Sequence, residues 1–182
     1  MTLHQIDKPN GKYTLKELDE FMVFCILDTA CTYKMVCNTF DELRRNNMTT
    51  RRGIRGKTLG QIRARLQFAG YRFPIQHAKR IKAFGDNPIN LKTANRTELV
   101  KNINGIGLKL ASFFLRNTRG EDHAVLDVHT LRYVDKMAKK SNVLLKTYFE
   151  KESFFKKLAE KQGKTTMELD LEIWQKMRVD NK

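Results

Sequence analysis

A lysine side chain attacks carbon only as the free amine, and a place in the first turn of a helix, as read for Lys109, could favour that form. The stretch from Leu99 to Ala111, containing Gly105-Ile106-Gly107-Leu108-Lys109, reads as helix, tight Gly-x-Gly hairpin, helix, with Lys109 in the first turn of the second helix. Burial and the positive end of a helix both disfavour an ammonium. An amine there could add to C1′ of a deoxyribose, expel the base and leave a Schiff base. Loss of the 3′ phosphate by β-elimination would then nick the strand. Further along, Val125-Leu126-Asp127-Val128-His129 sets a carboxylate at the end of a short apolar run. Asp127 could stabilise the positive charge that builds on the sugar and shuttle protons. Taken singly, Lys109 could be a surface cation touching phosphate and Asp127 a plain helix cap. Their pairing, with His129 two residues on and able to reach phosphate, favours chemistry.

The hairpin, residues 102–108, supplies the grip. Gly105 and Gly107 flank Ile106, and glycine permits positive φ and close backbone approach. Amide groups at the following helix N-terminus bind phosphate without reading sequence. Gly105, Ile106, Gly107 and His129 are therefore the candidate DNA phosphate contacts. Carbonyls of the same turn could also hold a monovalent cation shared with a phosphate. Ile103, Ile106, Leu110 and Ala111 would pack the two helices together.

These pieces need a helical frame, and the sequence reads as helical throughout. Thr14-x-x-Glu17 is a capping box opening an apolar helix over 15–30. Helices follow near 33–45, from the box Thr58-x-x-Gln61 to before Gly70, and from Pro74 to about Phe84. Residues 46–57 read as a polar, basic loop. A short helix over 96–101 enters the hairpin, and the next spans 108–117. Asp127 would cap 128–139, a charged amphipathic helix would span 145–162, and Thr165-x-x-Glu168 would open the last, ending near Met177. Apolar and polar residues nowhere alternate as a strand requires.

The 182 residues carry 35 Lys and Arg against 20 Asp and Glu, a net charge of +15, which favours a polyanionic partner. One basic group comprises Arg44, Arg45, Arg51, Arg52, Arg55, Lys57, Arg63 and Arg65; a second comprises Arg72, Lys79, Arg80 and Lys82. Few acids interrupt them, so a one-sided, phosphate-facing surface is expected. The longest apolar run, Phe21 to Leu27, is too short to span a bilayer, and the N-terminus lacks a signal-peptide pattern. The expected location is intracellular: cytoplasm and nucleoid, or nucleus in a eukaryote. Cys25, Cys31 and Cys37 read as buried free thiols rather than as a disulfide framework or zinc site.

Gly105-Ile106-Gly107-x-Lys109-x-Ala111 with Leu126-Asp127-Val128-His129 resembles the helix–hairpin–helix DNA glycosylase superfamily. Gly70-Tyr71-Arg72-Phe73 with Ala78-x-x-Ile81, and Leu169-Asp170-Leu171-x-Ile173-Trp174 near a C-terminal lysine, resemble one branch, the type-2 8-oxoguanine DNA glycosylase/AP lyases. The resemblance runs from about Phe21 onward. It implies an all-α, two-lobed fold with the active site between the lobes, one lobe from 1–32 plus 122–182 and the other from 33–121. It implies Lys109 as nucleophile, Asp127 as its partner, and Phe73 and Trp174 sandwiching the extruded base. The α-carboxylate of Lys182 would accept hydrogen bonds from the guanine edge. The tail after Trp174 is more polar than the family's usual one. An enzyme working on a base must flip it out and hold it between flat side chains.

The expected function is base-excision repair of oxidised DNA: release of 8-oxoguanine and β-elimination at the abasic site, by a monomer acting on double-stranded DNA that contains either lesion. No organic cofactor or catalytic metal is expected. A glycosylase for another oxidised base is disfavoured because its usual four-cysteine iron–sulfur cluster follows the aspartate, and no cysteine follows Cys37. A non-catalytic helix–hairpin–helix DNA-binding module would explain the charge and the glycines but not Lys109, Asp127 and Trp174.

Overall fold

The computed structural model describes residues 13–179, with side chains to 176. Among the described residues there are ten α-helices and no strand, as expected of an all-α chain. They are α1 (Leu15–Leu27), α2 (Tyr33–Arg45), α3 (Arg51–Arg55), α4 (Leu59–Phe68), α5 (Pro74–Gly85), α6 (Arg96–Asn102), α7 (Leu108–Arg119), α8 (Val128–Lys140), α9 (Tyr148–Lys161) and α10 (Thr166–Val179). No helix among the described residues is long and apolar enough to cross a membrane. The chain divides into two compact units, residues 1–119 and 120–182.

The first unit is built around α1, which is buried on nearly every side from Leu18 to Leu27. A helix apolar all round belongs inside a core. Phe21 meets Phe113 at 5.3 Å and Phe114 at 5.8 Å between ring centroids, and Phe24 meets Phe40 edge-on at 5.9 Å. These rings bind α1 to α2 and α7. The division expected from the sequence set 1–32 with 122–182; here α1 shares one core with residues from α2 to α7.

The second unit has its own smaller core, in which Ala124, Leu126, Val134, Phe155, Leu158, Leu169 and Ile173 pack together. Buried Glu152 accepts the Ala124 amide at 3.1 Å, and Thr166 donates to Asp122 at 2.6 Å, so the segment leading to Asp127 is pinned to α9 and α10.

Several helix starts follow from capping. At α1, Glu17 N–H donates to Thr14 Oγ1 (3.2 Å) and Thr14 N–H to Glu17 Oε2 (2.8 Å). The same reciprocal pair opens α4 (Thr58, Gln61), α6 (Asn95, Glu98) and α9 (Thr147, Glu150). The box at Thr147 starts α9 at Tyr148 rather than near 145. Residues 46–57 are not all loop: Thr50 accepts the Gly53 amide and opens α3. Arg51, in its first turn, is nearly buried. Its Nε donates to Asp19 Oδ1 at 2.7 Å and its Nη1 to the Ile89 carbonyl at 2.6 Å. Arg44 pairs with buried Glu20 at 3.0 Å, and Arg65 with buried Glu42 at 3.4 Å. Part of the basic group therefore neutralises internal carboxylates instead of facing a partner. Of the three free thiols Cys25 is buried, whereas Cys31 and Cys37 are only half-buried.

Candidate active site

The hairpin forms as its sequence requires. α6 ends at Asn102, Ile106 N–H returns to the Ile103 carbonyl (3.1 Å), and α7 begins at Leu108. Ile103, Ile106, Leu110 and Ala111 are all buried. Gly105 has φ +93°, a region costly for any side chain, and a Cβ there would stand 2.7 Å from Arg80 Cδ. A Cβ on Gly107 would meet nothing within 4 Å, so this backbone lies bare at the start of α7. First-turn amides of a helix have no carbonyl one turn back, which leaves this end of α7 suited to an anion.

Lys109 is half-buried in that first turn. Its Nζ donates to Asp28 Oδ2 at 2.5 Å. Asp28 is the C-cap of α1, its amide donating to the Phe24 and Cys25 carbonyls at 3.0 and 3.2 Å. Next to it, the Tyr71 hydroxyl donates to the Leu27 carbonyl at 2.7 Å. Burial pushes the Tyr71 phenol well above its ordinary range, with Cys31 adding to the rise, so it donates and does not ionise.

Phe73, half-buried, is the N-cap of α5 and packs against the first core. Its ring lies 6.0 Å from that of His77 at 26°, and the Arg72 guanidinium lies 5.1 Å from its centre. His77 is fully buried. Its Nδ1 is 3.1 Å from the Phe73 carbonyl and its Nε2 3.2 Å from Arg80 Nη1. Those partners assign the proton to Nδ1, leaving Nε2 to accept from arginine. Burial, then the Arg80 charge, hold the imidazole below its ordinary value and keep it neutral. A continuous set of contacts thus runs from Phe73 through His77 and Arg80 to Gly105.

In the second unit Asp127 caps α8. Its Oδ1 accepts the His129 amide at 2.9 Å and the Thr130 amide at 2.7 Å. Oδ2 makes no hydrogen bond among the described residues. His129 Nδ1 is buried without a hydrogen-bond partner among them. A buried polar atom left so costs free energy unless a partner arrives. The Thr130 hydroxyl donates to Asp170 at 2.8 Å, which fixes α10 against α8. On α10, Leu169 and Ile173 are buried and Trp174 is half-buried. Lys182 lies outside the described residues.

The structure thus gathers Lys109, the hairpin and Phe73 in the first unit, and Asp127, His129 and Trp174 in the second. Asp28 and His77 are neighbours that the sequence reading missed, and Arg80, read there only as one of a basic group, supports His77 and the hairpin. The only sequence signal for Asp28 is its place as the first charge after the apolar run Phe21–Leu27. Among the described residues no group of three or more His, Cys, Asp or Glu side chains is arranged to hold a metal ion.

With this geometry in place, comparison with known proteins is decisive. The profile of the 8-oxoguanine DNA glycosylase family matches residues 3–164, which include the hairpin, Lys109 and Asp127. The chain belongs to this family. It is 30% identical over 166 residues to the 8-oxoguanine DNA glycosylase/AP lyase of Thermoplasma volcanium, covering 86% of this chain and 78% of that one. Its structure is similar to that of the 8-oxoguanine DNA glycosylase of Thermotoga maritima, with a TM-score of 0.74 at 28% identity over 90% of this chain and 80% of that one. It is also similar to the Methanocaldococcus jannaschii 8-oxoguanine glycosylase/lyase in complex with a 15-mer DNA containing 8-oxoguanine, with a TM-score of 0.70 at 27% identity over 90% and 81% of the two chains. As a family member the chain has the helix–hairpin–helix glycosylase fold.

Proposed function

We infer that this protein removes 8-oxoguanine from double-stranded DNA and then cleaves the strand at the resulting abasic site. The match of the family profile across 3–164, spanning the hairpin, Lys109 and Asp127, carries the inference.

Lys109 Nζ, as the free amine, attacks C1′ of the lesion nucleotide. The glycosidic bond breaks with its electron pair passing to the base, which leaves protonated. The amine loses a proton and the sugar ring opens to a Schiff base. Removal of a C2′ proton then expels the 3′ phosphate. Asp127 stabilises the cationic sugar, for which an N-cap carboxylate with one oxygen already oriented is well suited. Gly105, Ile106, Gly107 and His129 hold phosphates. Phe73 and Trp174 sandwich the flipped base, and the Lys182 carboxylate reads its guanine edge. The protein acts as a monomer on chromosomal DNA inside the cell, and neither step calls on an organic cofactor or a catalytic metal.

The test is reductive trapping with borohydride on duplexes carrying 8-oxoguanine, uracil, thymine glycol or an abasic site. Wild-type protein should give a covalent adduct on the 8-oxoguanine and abasic duplexes, and Lys109→Gln none. Binding without any adduct would identify a non-catalytic module; trapping by Lys109→Gln would remove the assigned nucleophile.

A further inference from the structure

The chemistry above leaves Asp28 without a part, although its carboxylate makes the shortest recorded contact with Lys109. The pair links the C-terminus of α1 to the first turn of α7 across 81 residues of sequence, at 2.5 Å, with each side chain about one-third exposed. Both ends are anchored. Asp28 is fixed by its own amide bonds to the Phe24 and Cys25 carbonyls, and the neighbouring Leu27 carbonyl by Tyr71. Lys109 is fixed by the hairpin that starts its helix.

The other ionisable groups close to the pair are neutral or screened from it. Cys25, on α1, is fully buried, and burial followed by the Asp28 charge pushes its thiol far above the ordinary range. Tyr71, before α5, is held as a phenol by burial and Cys31. Arg80, on α5, is engaged with His77 and the hairpin. The Asp28 carboxylate is thus the anion facing the lysine. Their hydrogen bond fixes where Nζ sits.

We propose that Asp28 is a positioning residue that holds Lys109 Nζ at the head of α7 in the resting enzyme, so that Schiff-base formation requires the pair to part. This rests on Lys109 being the nucleophile. When Nζ leaves the carboxylate for the sugar, its hydrogen bond to Asp28 breaks, its proton passes to water and its lone pair is free to attack.

The experiment measures the rate of cyanoborohydride trapping on an abasic duplex as a function of pH for wild type, Asp28→Asn, Asp28→Glu and Lys109→Gln. Asp28→Asn keeps a side chain able to hydrogen-bond but removes the charge. Its trapping should be about tenfold faster than wild type at a fixed pH, because the charge-assisted hydrogen bond that must break is gone. Asp28→Glu should stay near wild type. An unchanged or slower rate in folded Asp28→Asn across the pH range, or a folded Asp28→Asn that traps at no pH, overturns the proposal. If circular dichroism shows that Asp28→Asn is unfolded, Asp28→Ser is read by the same criterion. Lys109→Gln separates the two ideas: trapping that persists in it defeats the nucleophile itself, whereas its loss with an unchanged Asp28→Asn rate defeats only the role of Asp28.

Discussion

In the first unit, candidate site residues are held by partners far away in sequence. Asp28 reaches Lys109 across 81 residues, Arg51 reaches Asp19 across 32, and Tyr71 reaches the Leu27 carbonyl across 44. In the second unit, the Asp127 carboxylate itself is oriented by amides only two and three residues on, although the segment before it is tied to α9 and α10 across 28 and 44 residues. A site held by distant partners depends on the packing that brings them together. A site held by local caps survives as long as its own helix does. Damage to the first core should therefore spread to Lys109, whereas Asp127 can be altered chemically with its geometry intact.

The contrast is tested most severely by Phe114→Ala. Phe114 is fully buried against Phe21, and its truncation should cost about 3–5 kcal/mol in urea unfolding, with trapping by Lys109 falling in parallel. Normal trapping at a stability loss of that size would show that the Lys109 site does not depend on the core beneath it. Asp127→Asn is the complementary change. Asparagine caps a helix as well as aspartate does, so stability should stay within about 0.5 kcal/mol, while base release slows about 10²–10³-fold, as when one transition-state charge stabiliser is removed. Equal losses of stability and rate would make Asp127 a structural cap.

The two remaining tests use pH. His77 is held below its ordinary 6.5 by burial and by Arg80, so the unfolded chain binds its proton more readily than the folded one. Its contribution is complete above 6.5 and drains away as the pH falls below it. The urea midpoint of wild type should decline between about pH 7 and pH 5 more than that of His77→Gln; superimposable curves would refute the neutral buried imidazole. The smallest effect is at the surface of the second unit. Lys164, then Lys176, hold the Glu172 carboxyl at about 2 against an ordinary 4.5. Its contribution is present above 4.5 and lost as the pH falls through about 2. Acid unfolding of Glu172→Gln should lack that component, and an identical profile would leave the ion pairs without effect.

The same contrast explains what the sequence revealed. Capping boxes at Thr14, Thr58 and Thr165, the hairpin glycines and the Asp127 cap act over two to four residues, so they are legible in order along the chain. The helix α3 is hidden because its glycine and arginines read as loop; Thr50 caps it, and the distant Asp19 holds its first arginine. The place of α1 is hidden for a related reason. Its apolar residues surround the helix and so mark no face to show which neighbours it meets. Asp28 is hidden because nothing near it in sequence identifies the lysine it pairs with. Arg51 and Arg44 look like DNA contacts in a list of charges, but each satisfies a buried carboxylate.

Arg80 braces two things at once. Its side chain fills the space where any Cβ at position 105 would lie, and its guanidinium steadies the imidazole stacked beside Phe73. The turn that would grip the phosphates and the ring that would stack on the base share one prop. Weakening the hold on DNA by enlarging residue 105 would therefore also loosen the aromatic platform. An engineer who wants weaker binding with lesion choice intact should trim exposed basic residues such as Arg63 or Lys79 and leave the turn alone.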